Sequence, residues 1–125
     1  MKDSMEKITD SELEVMKVLW AADSPLPLSS IRLSLQKMMN WEAATIKTLL
    51  SRLVSKNAVL QEKKEMFYYS PLVTEKEYDE WATSRLINRL YNGKASRLVA
   101  ALLNSDGITE NDIDELRRMF LGEES

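Results

Sequence analysis

The sequence predicts a mainly α-helical protein with one short β-hairpin between two groups of helices. Three observations carry this. Apolar residues recur at helical spacing in one stretch after another, as in "NWEAATIKTLLSRLVSK" (residues 40–56). Only "AVLQEKKEMFYYSP" (58–71) departs from that period and reads as paired strands. Helix-start signals of the form Thr-x-x-Glu/Asp stand at Thr9, Thr74 and Thr109.

Taken in order, Thr9 and Glu12 form a capping box, with Ile8 and Leu13 as its hydrophobic staple. The first helix is expected over about 10–22, with Leu13, Met16, Leu19 and Trp20 inward. "DSPLPLSS" interrupts it, since its two prolines cannot continue a helix. Leu26 and Leu28 suggest a short extended piece, and Ser29 an N-cap for a helix over about 30–39, with Leu28 and Leu33 as staple. In the third helix Ile46, Leu49, Leu50, Leu53 and Val54 make the inner stripe. Its outer face holds Ala44, Thr45, Lys47, Thr48, Ser51, Arg52 and Ser55, short side chains with cations at the flanks. The strand pair then carries a basic tip at Lys63 and Lys64, with a turn lacking Gly and Asn, and Pro71 ends it. Three further helices are expected over about 74–91, 96–104 and 109–120, separated by "YNGK" and "SDG".

Composition narrows the function. The chain has no cysteine and no histidine, which removes disulfides, thiolate chemistry, the commonest general base and the commonest transition-metal ligand. No glycine pattern cradles a phosphate. An enzyme, a metal site and a cofactor are therefore not expected. No apolar run approaches the ~20 residues of a membrane helix, and "MKDSMEKITD" has no signal-peptide pattern, so a cytoplasmic address without membrane insertion is expected. The net charge of −3 is unevenly spread: residues 1–29 sum to −3, residues 30–65 to +4 and residues 66–125 to −4. A positive middle segment in an acidic chain is a local electrostatic footprint.

Helix, short strand, helix, turn, helix, hairpin is the order of a winged helix-turn-helix. In that arrangement the polar face of the third helix meets the DNA major groove and the hairpin lies beside it as a wing. Hydroxyls with Lys and Arg bond to phosphates and base edges, and short side chains permit close approach. The candidate DNA-binding residues are thus Thr45, Lys47, Thr48, Ser51 and Arg52 with Lys63 and Lys64.

The sequence resembles the penicillinase-repressor (BlaI/MecI/CopY) family. The likeness rests on "ITDSELEVMKVLW", "NWEAATIKTLLSRLVSKNAV", "EKKEMFYYSPLV" and "ITENDIDELRRMF", in family order and spacing over nearly the whole chain. The resemblance implies a homodimeric repressor on a two-fold operator, possessing an N-terminal winged helix (1–73) and a three-helix dimerisation region (74–125). Carried over by position, Thr45, Lys47 and Thr48 match DNA-contacting residues, with Arg52 near the backbone. Lys47 stands where many relatives have arginine and so lacks the fork that reads guanine. Trp41 matches a tryptophan read here as a packing residue. Glu42 replaces the usual serine and, as an acid at a helix N-terminus, competes with phosphate for the positive helix end, at some cost in affinity.

The last three helices have little core of their own, and their apolar faces need the first domain or a second chain. Leu98, Leu102, Leu103, Ile113, Leu116 and Phe120 are the candidate dimerisation residues. The copper-responsive branch of the family uses a C-terminal cysteine cluster that this chain lacks. In the β-lactam branch a membrane sensor protease leads to repressor cleavage at an Asn–Phe bond. The matching bond here is Ala101–Leu102, and neither side chain is kept. Target genes of β-lactam resistance are one expectation; an unrelated stress or metal operon, or a winged-helix protein-interaction module that does not bind DNA, are the alternatives.

Overall fold

The computed structural model describes Met5 and residues 8–122. In chain order the elements are α1 (Asp10–Ala21), β1 (Leu26–Pro27), α2 (Leu28–Met39), α3 (Ala43–Ser55), β2 (Val59–Lys63), β3 (Phe67–Pro71), α4 (Glu75–Tyr91), α5 (Ala95–Leu103) and α6 (Glu110–Leu121). The chain forms two compact units that meet between Trp81 and Ala82, within α4. Among the described residues, no helix is long and apolar enough to cross a membrane.

The first unit is a winged helix-turn-helix. Its core consists of Val15, Met16 and Leu19 of α1, Ile31 and Leu35 of α2, Ile46, Leu49, Leu50 and Leu53 of α3, Ala58 just before the sheet, and Val59 and Tyr69 within it. Each large apolar side chain fully buried there contributes roughly 1.5–3 kcal/mol. The sheet is antiparallel in the order β1-β3-β2, with Leu26 opposite Tyr69 and Lys63 opposite Phe67. Three asparagines, Asn40, Asn57 and Asn92, take left-handed backbone conformations just past α2, α3 and α4. Asparagine tolerates this region better than other side chains, so each one serves as a helix stop.

Helix α1 starts as expected: the Thr9 hydroxyl accepts from the Glu12 amide and the Glu12 carboxylate from the Thr9 amide, while Ile8 and Leu13 pack on the core. Its inner face differs from the expectation. Val15 and Glu12 are fully buried, whereas Leu13 and Trp20 are half-buried at the margin. Trp20 is held there because its indole N–H donates to the Val73 carbonyl at 2.8 Å and its ring meets Tyr78, which in turn meets Trp81, with centroids 5.7 and 5.8 Å apart.

Two expectations about α2 are corrected. Its N-cap is Pro27, without a side-chain cap, and Ser29 lies inside the first turn. Pro27 already has the extended backbone of β1 (φ −73°, ψ 158°), so the chain passes straight from strand to helix. With the helix in that phase, Ile31 and Leu35 form the buried pair one turn apart. Leu33, two residues from either, points outward and is 64% exposed.

In the second unit the Thr109 capping box of α6 is formed, and α5 begins at Ala95 rather than Ser96. The Thr74 box that opens α4 is also formed, in the first unit: the Thr74 hydroxyl accepts from the Glu77 amide, and hydrogen bonding to Thr74, chiefly its amide, holds the Glu77 carboxyl below its usual range. None of the residues of α4, α5 or α6 is buried.

Candidate nucleic-acid interface

Helix α3 is fixed from one side only. Ile46, Leu49, Leu50 and Leu53 are buried, each at most 5% exposed. With steps of about 100° per residue, the opposite face carries Thr45, Lys47, Thr48, Ser51 and Arg52, and all five are exposed. Thr48 and Ser51 lie near the middle of that face, while Lys47 on one side and Thr45 with Arg52 on the other lie at its margins. A rigid inner stripe thus presents short hydroxyls at the centre, where a helix can approach a surface closely, and cations at the edges.

The Thr48 hydroxyl donates to the Ala44 carbonyl one turn back, at 2.9 Å. Its hydrogen is therefore directed into the helix, leaving lone pairs free to accept from outside. Trp41 is half-buried and packs on the core beside the start of α3, as a packing residue should. Glu42 is the N-cap residue of α3, yet its exposed carboxylate makes no capping hydrogen bond. That acid stands beside the unpaired amides of the helix start, where an anionic ligand would be drawn.

From α3 the chain turns at Asn57, and the Ala58 N–H bonds to the Leu53 carbonyl at 3.0 Å before β2 begins. The hairpin loop is Lys64, Glu65 and Met66, closed by the Lys64 N–H on the Met66 carbonyl at 2.9 Å. No residue of this loop has a positive φ, which is why it needs neither glycine nor asparagine. Lys63 and Lys64 are both exposed, and their ammonium groups lie 5.8 Å from the Phe67 ring centre and 5.9 Å from that of Tyr68. Phe67 and Tyr68 are neighbours in one strand, so their rings lie on opposite faces of the ribbon. The two lysines consequently flank the hairpin on different sides.

The charge of +4 over residues 30–65 includes Lys56. Its ammonium is paired with the buried Glu12 carboxylate of α1, which reduces the unmatched charge of residues 30–65 from +4 to +3. No local signal marks a partner 44 positions away.

The other candidate residues lie in the second unit. Leu102, Leu103, Ile113, Leu116 and Phe120 are exposed, Phe120 at 84%, and Leu98 is half-buried. Ala101 and Leu102 fall inside the last turn of α5, both exposed.

The sequence model described as "Penicillinase repressor" matches residues 8–121. A penicillinase repressor of Bacillus licheniformis is 36% identical over 115 residues, covering 91% of this chain and 89% of the relative. The methicillin resistance regulatory protein MecI of Staphylococcus aureus is 28% identical over 121 residues, covering 96% and 98%. Among solved structures, the DNA-binding domain of the repressor BlaI matches with a TM-score of 0.54 at 37% identity, covering 59% of this chain and 90% of that one. The monomeric form of Bacillus licheniformis BlaI in complex with the blaP half-operator matches with a TM-score of 0.52 at 38% identity, covering 58% and 88%.

Proposed function

The chain belongs to the penicillinase repressor family, and from that premise we propose that it is a DNA-binding transcriptional repressor of the BlaI/MecI type. The observation that supports this best is the outer face of α3, with Thr45, Lys47, Thr48, Ser51 and Arg52 exposed together on a helix whose other side is locked in the core. On this reading α3 enters the major groove, Thr48 and its neighbours meet base edges, and Lys47 and Arg52 neutralise phosphates. Lys63 and Lys64 extend the contact to the backbone beside the groove. Two copies joined through residues 74–125 cover a two-fold operator and exclude the transcription machinery. In vitro transcription from the chain's own upstream region tests the repressor role. Added protein should lower the transcript from that template and leave an unrelated promoter untouched; equal transcription from both, with or without protein, refutes it.

The wing makes a separate expectation. Phosphate neutralisation releases condensed cations, with a log–log salt slope of about −0.9 per phosphate. Replacing both Lys63 and Lys64 with Ala should weaken operator and unrelated DNA alike and make the slope shallower by roughly one to two units. Because the lysines flank opposite faces of the hairpin, the two single substitutions should be unequal. An unchanged slope in the double variant would remove the wing from the interface, leaving lysines that merely keep a strand edge soluble.

Glu42 gives a change in the opposite direction. Glu42→Ser removes an acid from the phosphate-facing end of α3 and supplies a hydroxyl cap, worth roughly 0.5–2 kcal/mol of helix stability. Both the melting temperature and operator affinity should rise. Unchanged affinity would show that the carboxylate lies clear of the phosphates.

A response to β-lactams through a membrane sensor protease is part of the same family reading, with Ala101–Leu102 as the bond at the family's cleavage position. Incubation with the protease and mass mapping of the products tests it. Cleavage elsewhere, or none, removes that route.

A further inference from the structure

We propose that Glu12 is a positioning residue for operator recognition, acting through Lys56 to fix where the recognition helix ends and the wing begins. This deepens the repressor reading and rests on it. The Glu12 side chain is 1% exposed and Lys56's is 23% exposed. The carboxylate Oε1 accepts from the Thr9 amide at 3.0 Å and from the Lys56 ammonium, and Oε2 has no hydrogen-bond partner among the described residues.

Lys56 occupies a particular place in the chain. It is the C-cap of α3, its N–H shared between the Arg52 and Val54 carbonyls. Asn57 then turns left-handed (φ 62°), and Val59 opens β2. The helix and the hairpin proposed to hold DNA diverge from this point, and the acid that grips it comes from a third element, α1. Two charges withdrawn from water seldom stabilise a fold more than apolar side chains of the same size would. What a charge-assisted bond adds is direction: it defines one position for the end of α3, where apolar contacts would let it slide. Reading bases demands such precision, because a side chain displaced along the groove loses its hydrogen bond. Holding phosphates does not, because the electrostatic term is tolerant of position.

The paired substitution E12L/K56M tests this. It leaves net charge unchanged and exchanges the ion pair for side chains of similar size, a change that is commonly neutral or stabilising, while also removing the acceptor of the Thr9 amide at the start of α1. K56R, which keeps the charge but replaces a compact donor with a planar fork, is the second variant. Each is melted, then titrated with operator and with unrelated DNA of equal length over a salt series. K56R should melt near the wild type and the paired variant a few degrees lower through the lost Thr9 contact, and both should keep unrelated-DNA affinity and salt slope. Operator preference should fall about tenfold in the paired variant, close to one base pair's worth of discrimination, and severalfold in K56R. A folded variant of either kind with wild-type preference overturns the proposal, as does a parallel loss of both affinities, which marks a purely structural pair. A wild-type chain without operator preference would instead refute the repressor reading itself.

Discussion

Replacing Leu116 with Asp, or Leu102 with Asp, is expected to turn a dimer into monomers and to weaken operator binding by about 10²–10⁴-fold. Helices α5 and α6 bury no residue, although Val99, Leu102, Leu103, Ile113, Leu116, Met119 and Phe120 project from them. Apolar faces of this kind on consecutive helices mark an association surface. A two-fold operator suits a two-fold dimer, and binding of the first half-site raises the effective concentration of the second reading head. A carboxylate placed in that surface would be stranded without a partner, which opposes association directly. The winged domain has a separate core, so binding to one half-site should survive in both variants. Sedimentation at micromolar concentration supplies the check: a dimer for the wild type, monomers for the variants. A monomeric wild type would contradict the prediction.

Thr48→Ala should relax preference at one operator position by ~1–3 kcal/mol and leave the others unchanged. Because the Thr48 hydroxyl donates to Ala44, what it offers outward is a pair of acceptor sites and a methyl group. It is suited to an adenine or cytosine amino group, or to a thymine methyl. Thr48→Val keeps the methyl and Thr48→Ser keeps the hydroxyl, so the two separate these readings. Lys47→Ala should behave differently, weakening all sequences alike and making the salt slope shallower by about one unit. Binding curves on operators varied one position at a time measure both. A uniform loss in Thr48→Ala would assign Thr48 to the backbone.

The fold was legible because local signals agreed with one another. Capping boxes at Thr9, Thr74 and Thr109 marked helix starts, and the stripe from Ile46 to Leu53 marked the inner side of α3. The outward face of α3 followed, since a helix with one side buried must expose the other. Features set by distant partners were not legible. Glu12 fits a local cap motif with Thr9, and nothing nearby shows that Lys56 also reaches it from 44 residues away. Leu33 belongs to a plausible staple, but Pro27 starts α2 early and shifts the buried face to Ile31 and Leu35. The division inside α4 was hidden for a similar reason. Thr74 marks where the helix begins, whereas Tyr78 and Trp81 stack toward Trp20 and keep its first turns with the winged domain.

Sequence-specific DNA binding by the face of α3 is decided by one titration. The full chain is measured against its own upstream duplex and against an unrelated duplex of equal length, at about 0.15 M salt. Binding to the upstream duplex should be at least ~10³-fold tighter, with two chains bound per operator. Equal affinity for the two duplexes, or no binding to either, would contradict it.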